Sequence, residues 1–325
     1  MLRALSALNR FRVIRTFDIA ALCGPERPFK AALTAAQKAV RGMKKAGLVQ
    51  WYRTDRQQHV YGLTKKGADL LQEHGIDSAS SVRRVNDMTN PEHMLWASFI
   101  AVCCEVRGLR ALTEPEFLRE LNRGKEKGAL VQGLLNVDVG VGNAYKWRAL
   151  RPDVVAYEPD GATWFEIDRS KRGSAREASL GALFKSMGAR TSDGQPLRRI
   201  VVLAKTDRIL GRAVAIARAK LESKENPLTT TNNVLREIQC GLFEVVGVPL
   251  VRYSDGTSST ERRVLGHVII QMLPTWLPKV RISKGEEHST GGWFSENYLP
   301  YRRPALLGSW PEPRSPFLSG APDPN

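Results

Sequence analysis

Over the first 46 residues the apolar positions step by three or four, the spacing of helices that bury one face. Leu2, Leu5 and Leu8 mark a first short helix. Thr16 and Asp18 are capping residues ahead of a second, over 19–23, which Gly24-Pro25 stops. Ala32, Leu33, Ala36, Val40 and Met43 mark a third helix over 29–46, with Gly47 placed to close it. The period then shortens to that of strands. Residues 48–53 and 59–63 flank the polar turn Thr54-Asp55-Arg56-Gln57-Gln58, which predicts a hairpin. Thr64 caps a fourth helix over 65–74.

A polar stretch over 78–90 reads as a linker. Beyond it, Leu95, Phe99, Val102 and Val106 mark one face of a helix over 91–106. The segments 114–122 and 130–141 are too mixed to assign. Residues 151–157 and 162–168 are two apolar runs joined by Glu158-Pro159-Asp160-Gly161, a turn sequence between strands. A helix is expected over 173–187, a buried strand over 197–204, a basic helix over 207–224 and another strand over 241–246. Residues 279–325 hold many prolines, with Trp293, Phe294, Tyr298, Tyr301 and Trp310 interleaved, and show neither period. They read as an extended tail, whose aromatics with Arg302 and Arg303 suit stacking on single-stranded bases or packing on the body.

Composition narrows the class. The 325 residues carry 49 Lys and Arg against 33 Asp and Glu, a net charge of +16. The first ninety residues alone hold 16 basic and 7 acidic side chains. That local excess suits a phosphate backbone better than a generally basic surface would. No apolar run approaches the roughly 18 residues of a membrane span. The N-terminus lacks a continuous apolar stretch of the secretory kind, so the expected compartment is the cytoplasm. The four cysteines and five histidines show no metal-ligand spacing, and the cysteines are expected as small buried apolar residues.

Two sets of residues carry chemistry. On the third helix Lys30, Lys38, Arg41, Lys44 and Lys45, with Arg53 and Arg56 on the hairpin, could reach phosphates and base edges. In the second half, Asp153 opens one strand, and Glu166 and Asp168 stand two apart on the next, on one face. Three converging carboxylates suit a hard divalent cation, Mg²⁺ or Mn²⁺, which activates water for phosphoryl chemistry. Lys171, or Lys185 on the following helix, could supply a basic partner. Glu105 is a further acidic candidate.

Three helices followed by a basic hairpin, with Gly47-Leu48-Val49, Val60-Tyr61-Gly62-Leu63-Thr64 and Gly67, resemble a winged helix-turn-helix. Pro152-Asp153 and Glu166-Ile167-Asp168 on adjacent strands resemble the PD-(D/E)XK nuclease fold. The combination, over about 1–250, resembles the replication-relaxation family of plasmid and mobile-element proteins. The resemblance implies an α/β (α+β) chain. A winged helix-turn-helix over 1–77 precedes a linker over 78–90, a PD-(D/E)XK nuclease-like mixed-sheet domain over 91–278 and a tail over 279–325. It implies double-stranded DNA as partner, with other mobilisation or replication proteins, and no membrane. One departure matters: Asp168 stands where the nuclease pattern has lysine. Three readings follow: a DNA-binding accessory protein with a degenerate nuclease domain, an active metal-dependent endonuclease using Asp153, Glu166, Asp168 and Lys171, or a winged-helix transcriptional regulator.

Overall fold

The structure, a computed structural model, describes residues 1–54, 59–78, 91–139, 146–168, 173–221, 234–247, 250–252, 254, 256–260 and 262–273. The chain is a mixed α/β protein whose described residues include eight α-helices and a seven-stranded mixed sheet. They divide into two units, within Met1–Leu109 and within Arg110–Thr275. The expected tail over 279–325 and most of the polar stretch over 78–90 lie outside the described residues.

The first unit runs α1 (Leu2–Phe11), α2 (Thr16–Cys23), α3 (Phe29–Lys45), β1 (Val49–Arg53), β2 (His59–Leu63), α4 (Lys65–Glu73) and α5 (Pro91–Val106). Helix α1 buries Leu5, Leu8 and Phe11. Helix α2 begins on a buried ion pair. The Arg15 guanidinium donates to Asp18 through Nε at 2.8 Å and Nη2 at 2.6 Å, and lies 5.6 Å from the Phe99 ring centroid on α5. Helix α5 packs on α2 and has no polar side: Leu95, Trp96, Phe99, Ile100, Val102 and Cys103 are all buried. This packing places α5 in the first unit, and the division between units falls after Leu109.

The motif residues at the base of the hairpin have a physical role. Gly47, at φ 72°, ends α3: its N–H donates to Lys44 O at 3.0 Å, and that of Leu48 to Met43 O at 2.9 Å. These bonds close the helix as in a Schellman motif, with Leu48 and Met43 both buried beside it. Thr64 then joins two elements. Its hydroxyl donates to Gly47 O at 2.7 Å and accepts from Gly67 N at 3.1 Å, capping α4. Gly67 passes so close that a Cβ there would lie 2.1 Å from Leu48 O.

The second unit is built on the strand order β3-β6-β7-β8-β13-β10-β9. The strands are β3 (Arg110–Thr113), β6 (Val154–Glu158), β7 (Gly161–Asp168), β8 (Leu197–Ala204), β9 (Val234–Gln239), β10 (Leu242–Gly247) and β13 (Arg263–Met272). The pairs of β7 with β8 and of β8 with β13 are parallel, and the other neighbours are antiparallel. Helices α7 (Ser174–Lys185) and α8 (Asp207–Leu221) follow β7 and β8. They contribute Leu180, Leu183, Phe184, Ala213, Val214 and Ala217 to the core formed with Trp164, Ile200, Val202 and Val268. The segments left unassigned by sequence hold α6 (Glu114–Leu121) and β4 (Leu135–Asp138), which pairs antiparallel with β5 (Trp147–Leu150) further on. A further small pair joins β11 (Leu250–Arg252) to β12 (Ser258–Thr260).

Charge is buried where β6 turns into β7. Arg199 on β8 donates to both carboxylate oxygens of Asp160 at 2.8 Å and lies 3.3 Å from Glu158, with all three side chains no more than 3% exposed. Glu158 in turn accepts from Thr163 Oγ1. His267 pairs with Arg199 across β13 and β8. Burial, and then the Arg199 charge, push its imidazole down to about 4. Of the cysteines, Cys103 and Cys104 are buried as expected, whereas Cys240 is exposed.

Gly67→Ala forces a backbone shift and is expected to cost about 2 kcal/mol in denaturant unfolding. Gly42→Ala, at an exposed position in the last turn of α3 with open space around it, is expected to add up to about 0.5–1 kcal/mol. For His267 the folded pKa lies below the unfolded one, so the unfolded chain takes up the proton first. Stability is therefore expected to fall as pH drops from about 6.5 towards 4. His267→Gln should flatten that part of the pH–stability curve.

Candidate functional site

Helix α3 separates its residues into two stripes. Phe29, Ala32, Leu33, Ala36, Val40 and Met43 are buried. Lys30, Lys38, Arg41, Lys44 and Lys45 are all exposed. At 3.6 residues per turn these five, with Thr34 and Gln37, share about one third of the circumference, away from the buried stripe. The sequence expectation for the helix is thus met residue by residue in exposure. Arg53, at the end of β1, is exposed as well. Arg56 lies outside the described residues.

The hairpin beside α3 carries residues that charge counting did not single out. Trp51 is 41% exposed, its ring centroid lies 5.1 Å from that of His59, and Lys44 Nζ stands 5.2 Å from it. The sign in the sequence was the strand period, which sets Trp51 and Arg53 on one face of β1. Recognising the partners on β2 needed the register, in which Trp51 opposes Tyr61 and Arg53 opposes His59.

In the second unit the three carboxylates share a side of the sheet, as their spacing implies. Val155 opposes Trp164 across β6 and β7, and the alternation of the strands carries that face on to Asp153, Glu166 and Asp168. Their side chains have separate tasks. Asp153 Oδ2 accepts from Ile167 N at 2.6 Å, while its own N–H donates to Phe165 O at 3.0 Å. This carboxylate thus extends the strand ladder beyond the end of β6. Glu166 Oε1 accepts from the buried indole N–H of Trp164 at 2.9 Å. Asp168, 4% exposed, ends β7. It borders a 490 Å³ cleft between α7 and α8 that Glu177, Arg208 and Arg212 also line. Arg212 and Glu177 close one side of that cleft with a charge-assisted bond of 2.8 Å.

Arg151 donates to Gln132 O at 2.6 Å and to Glu114 Oε1 at 3.3 Å. Lys185 is exposed in the last turn of α7. Lys171 lies outside the described residues. Glu105 pairs with Arg10 at 2.5 Å inside the first unit. Among the described residues, no group of three or more His, Cys, Asp or Glu side chains is arranged to hold a metal ion. Two of the three carboxylates already accept from N–H donors.

No described helix is long and apolar enough to cross a membrane. Comparison of the chain with known protein families, with curated proteins and with solved structures finds no match.

The bond from Ile167 N gives Asp153 a task in holding β6 to β7. Asp153→Ala leaves Ile167 N without its acceptor and is expected to cost about 1–3 kcal/mol in stability. Added Mg²⁺ or Mn²⁺ is expected to leave the melting temperature of the wild-type chain where it was. A metal-dependent rise that disappears in Asp153→Asn would establish a metal site instead, since only a ligand of the folded state raises it.

Proposed function

We propose that this chain is a DNA-binding protein of a plasmid or integrated mobile element, acting in mobilisation or replication. On this reading the first unit is a winged helix-turn-helix, with α3 as recognition helix and the β1–β2 hairpin as wing. The second unit is a PD-(D/E)XK-like scaffold without metal chemistry. The observation that carries the reading is the exposed stripe of Lys30, Lys38, Arg41, Lys44 and Lys45 on α3, opposite its buried stripe and beside the hairpin. A helix of 17 residues is a rod of the width that the major groove admits. Its long cationic side chains then lie where both phosphates and base edges are within reach. Arg53 extends the charge onto the wing.

The nuclease-like reading of the second unit rests on the order β6, β7, α7, β8, with β7 and β8 parallel and the carboxylates at the end of β7. The geometry of those carboxylates favours a scaffold, because they brace the strands and the indole rather than gather around one point. Such a scaffold suits an accessory protein working in the cytoplasm with other mobilisation or replication proteins.

The DNA reading is tested by the salt dependence of binding to a duplex. Each phosphate neutralised contributes about 0.9 to the slope of log affinity against log salt. Replacing Lys38, Arg41 and Lys45 together with alanine is expected to weaken binding and lower the slope by about 2–3. An unchanged slope in the triple variant would remove α3 from the interface.

A further inference from the structure

One face of the β1–β2 hairpin is aromatic and open. Trp51 opposes Tyr61, and Arg53 opposes His59; residues directly opposite on antiparallel strands share a face. At the base of the hairpin this face turns inward, where Val49 opposes Leu63 and both are buried. Further out it opens, with Trp51 41% exposed and Arg53 and His59 exposed too. The Trp51 and His59 rings lie 5.1 Å apart at 52°, and Lys44 from the end of α3 stands over the indole. A single exposed apolar side chain is ordinary. Three rings and two cations on one strip, continuous with the basic stripe of α3, are a different kind of surface.

We propose that this face is a stacking site for an unpaired base, so that the preferred ligand is DNA in which duplex adjoins unpaired nucleotides. The proposal rests on the reading of the first unit as DNA-binding. Inside an intact duplex each base hides both of its faces against its neighbours and offers only its edges to a protein. An indole has one N–H donor and no acceptor, so it reads edges poorly. Its broad apolar face is matched by DNA only where a base has left the stack. Lys44 and Arg53 then lie where the phosphates on either side of that base must pass. His59, tilted against Trp51, widens the platform, and Tyr61 backs it. Duplex held by α3 and a displaced base held by the hairpin would put the protein at a junction between paired and unpaired strands.

The test compares two probes at one salt concentration with the full chain: an intact duplex, and the same duplex carrying a short single-stranded gap. The wild-type chain is expected to bind the gapped probe more tightly. Trp51→Ala should lower affinity for the gapped probe about tenfold or more, while affinity for the intact duplex changes less than about twofold. Trp51→Phe, which keeps a ring, should retain most of the preference. His59→Ala should lose part of it, and serves as a second variant if Trp51→Ala does not melt cooperatively. Alanine at Lys38, Arg41 and Lys45 should weaken both probes alike. No preference in the wild-type chain, or equal losses on both probes in Trp51→Ala, would overturn the stacking site while leaving the basic surface standing. If Trp51→Ala changes neither affinity, the patch serves a protein partner and the proposal is wrong. If the wild-type chain binds neither probe, the DNA reading falls with it.

Discussion

The placement of the basic helix relative to the hairpin depends on one close approach of backbones, that of Gly67 to Leu48. Helix α3 ends at Gly47, and α4 begins at Thr64 beside it. The Thr64 hydroxyl bonds both ends at once. The two strands between them are therefore tied at their base, and their outer halves project from a fixed root. No side chain larger than hydrogen fits at position 67 without moving Leu48. The same residues that make up the sequence motif thus set the angle at which Lys44 meets Trp51.

The second unit handles charge in the opposite way. Apart from the buried Arg15–Asp18 pair, the cations described on α3 of the first unit are gathered on a surface, where water screens them. In the second, Arg199 is drawn into the sheet with Asp160 and Glu158. An isolated charge there would cost several kcal/mol, so the three residues stand or fall together. They sit towards the starts of the parallel strands β7 and β8, whereas Glu166 and Asp168 lie towards the end of β7. One end of the sheet is thus closed by an internal ion network, and the other borders the cleft between α7 and α8.

Much of the architecture was legible in the sequence because it is local. The two stripes of α3, the period change at the hairpin, the Pro159-Asp160 turn and the apolar run of β8 each depend on residues within a few positions of one another. What was not legible depends on partners far along the chain. Nothing near Arg263–Met272 says that this strand lies between β8 and β10. Helix α5 is apolar all round, which marks it as buried but not against what. At the carboxylates, strand period puts Glu166 and Asp168 on one face of β7 with Trp164. It could not say that Glu166 turns to the Trp164 indole, or that Asp153 caps the ladder at Ile167, because side-chain direction is decided by the nearest donor. The aromatic face was missed for a related reason: Trp51, His59 and Tyr61 are separate in sequence and meet only through the register.

The ion network around Arg199 also acts on how the chain finds its fold. Parallel strands such as β7 and β8 are joined through a helix and must choose their alignment without a tight turn to guide them. Apolar side chains alone discriminate weakly between alignments that differ by two residues, since the same faces stay inside. A slip of that size would carry Arg199 away from Asp160 and leave a buried guanidinium without its carboxylates. The network therefore favours one register: a sheet slipped by two residues carries an electrostatic penalty, and the native pairing is the one that lets the charge be sealed in.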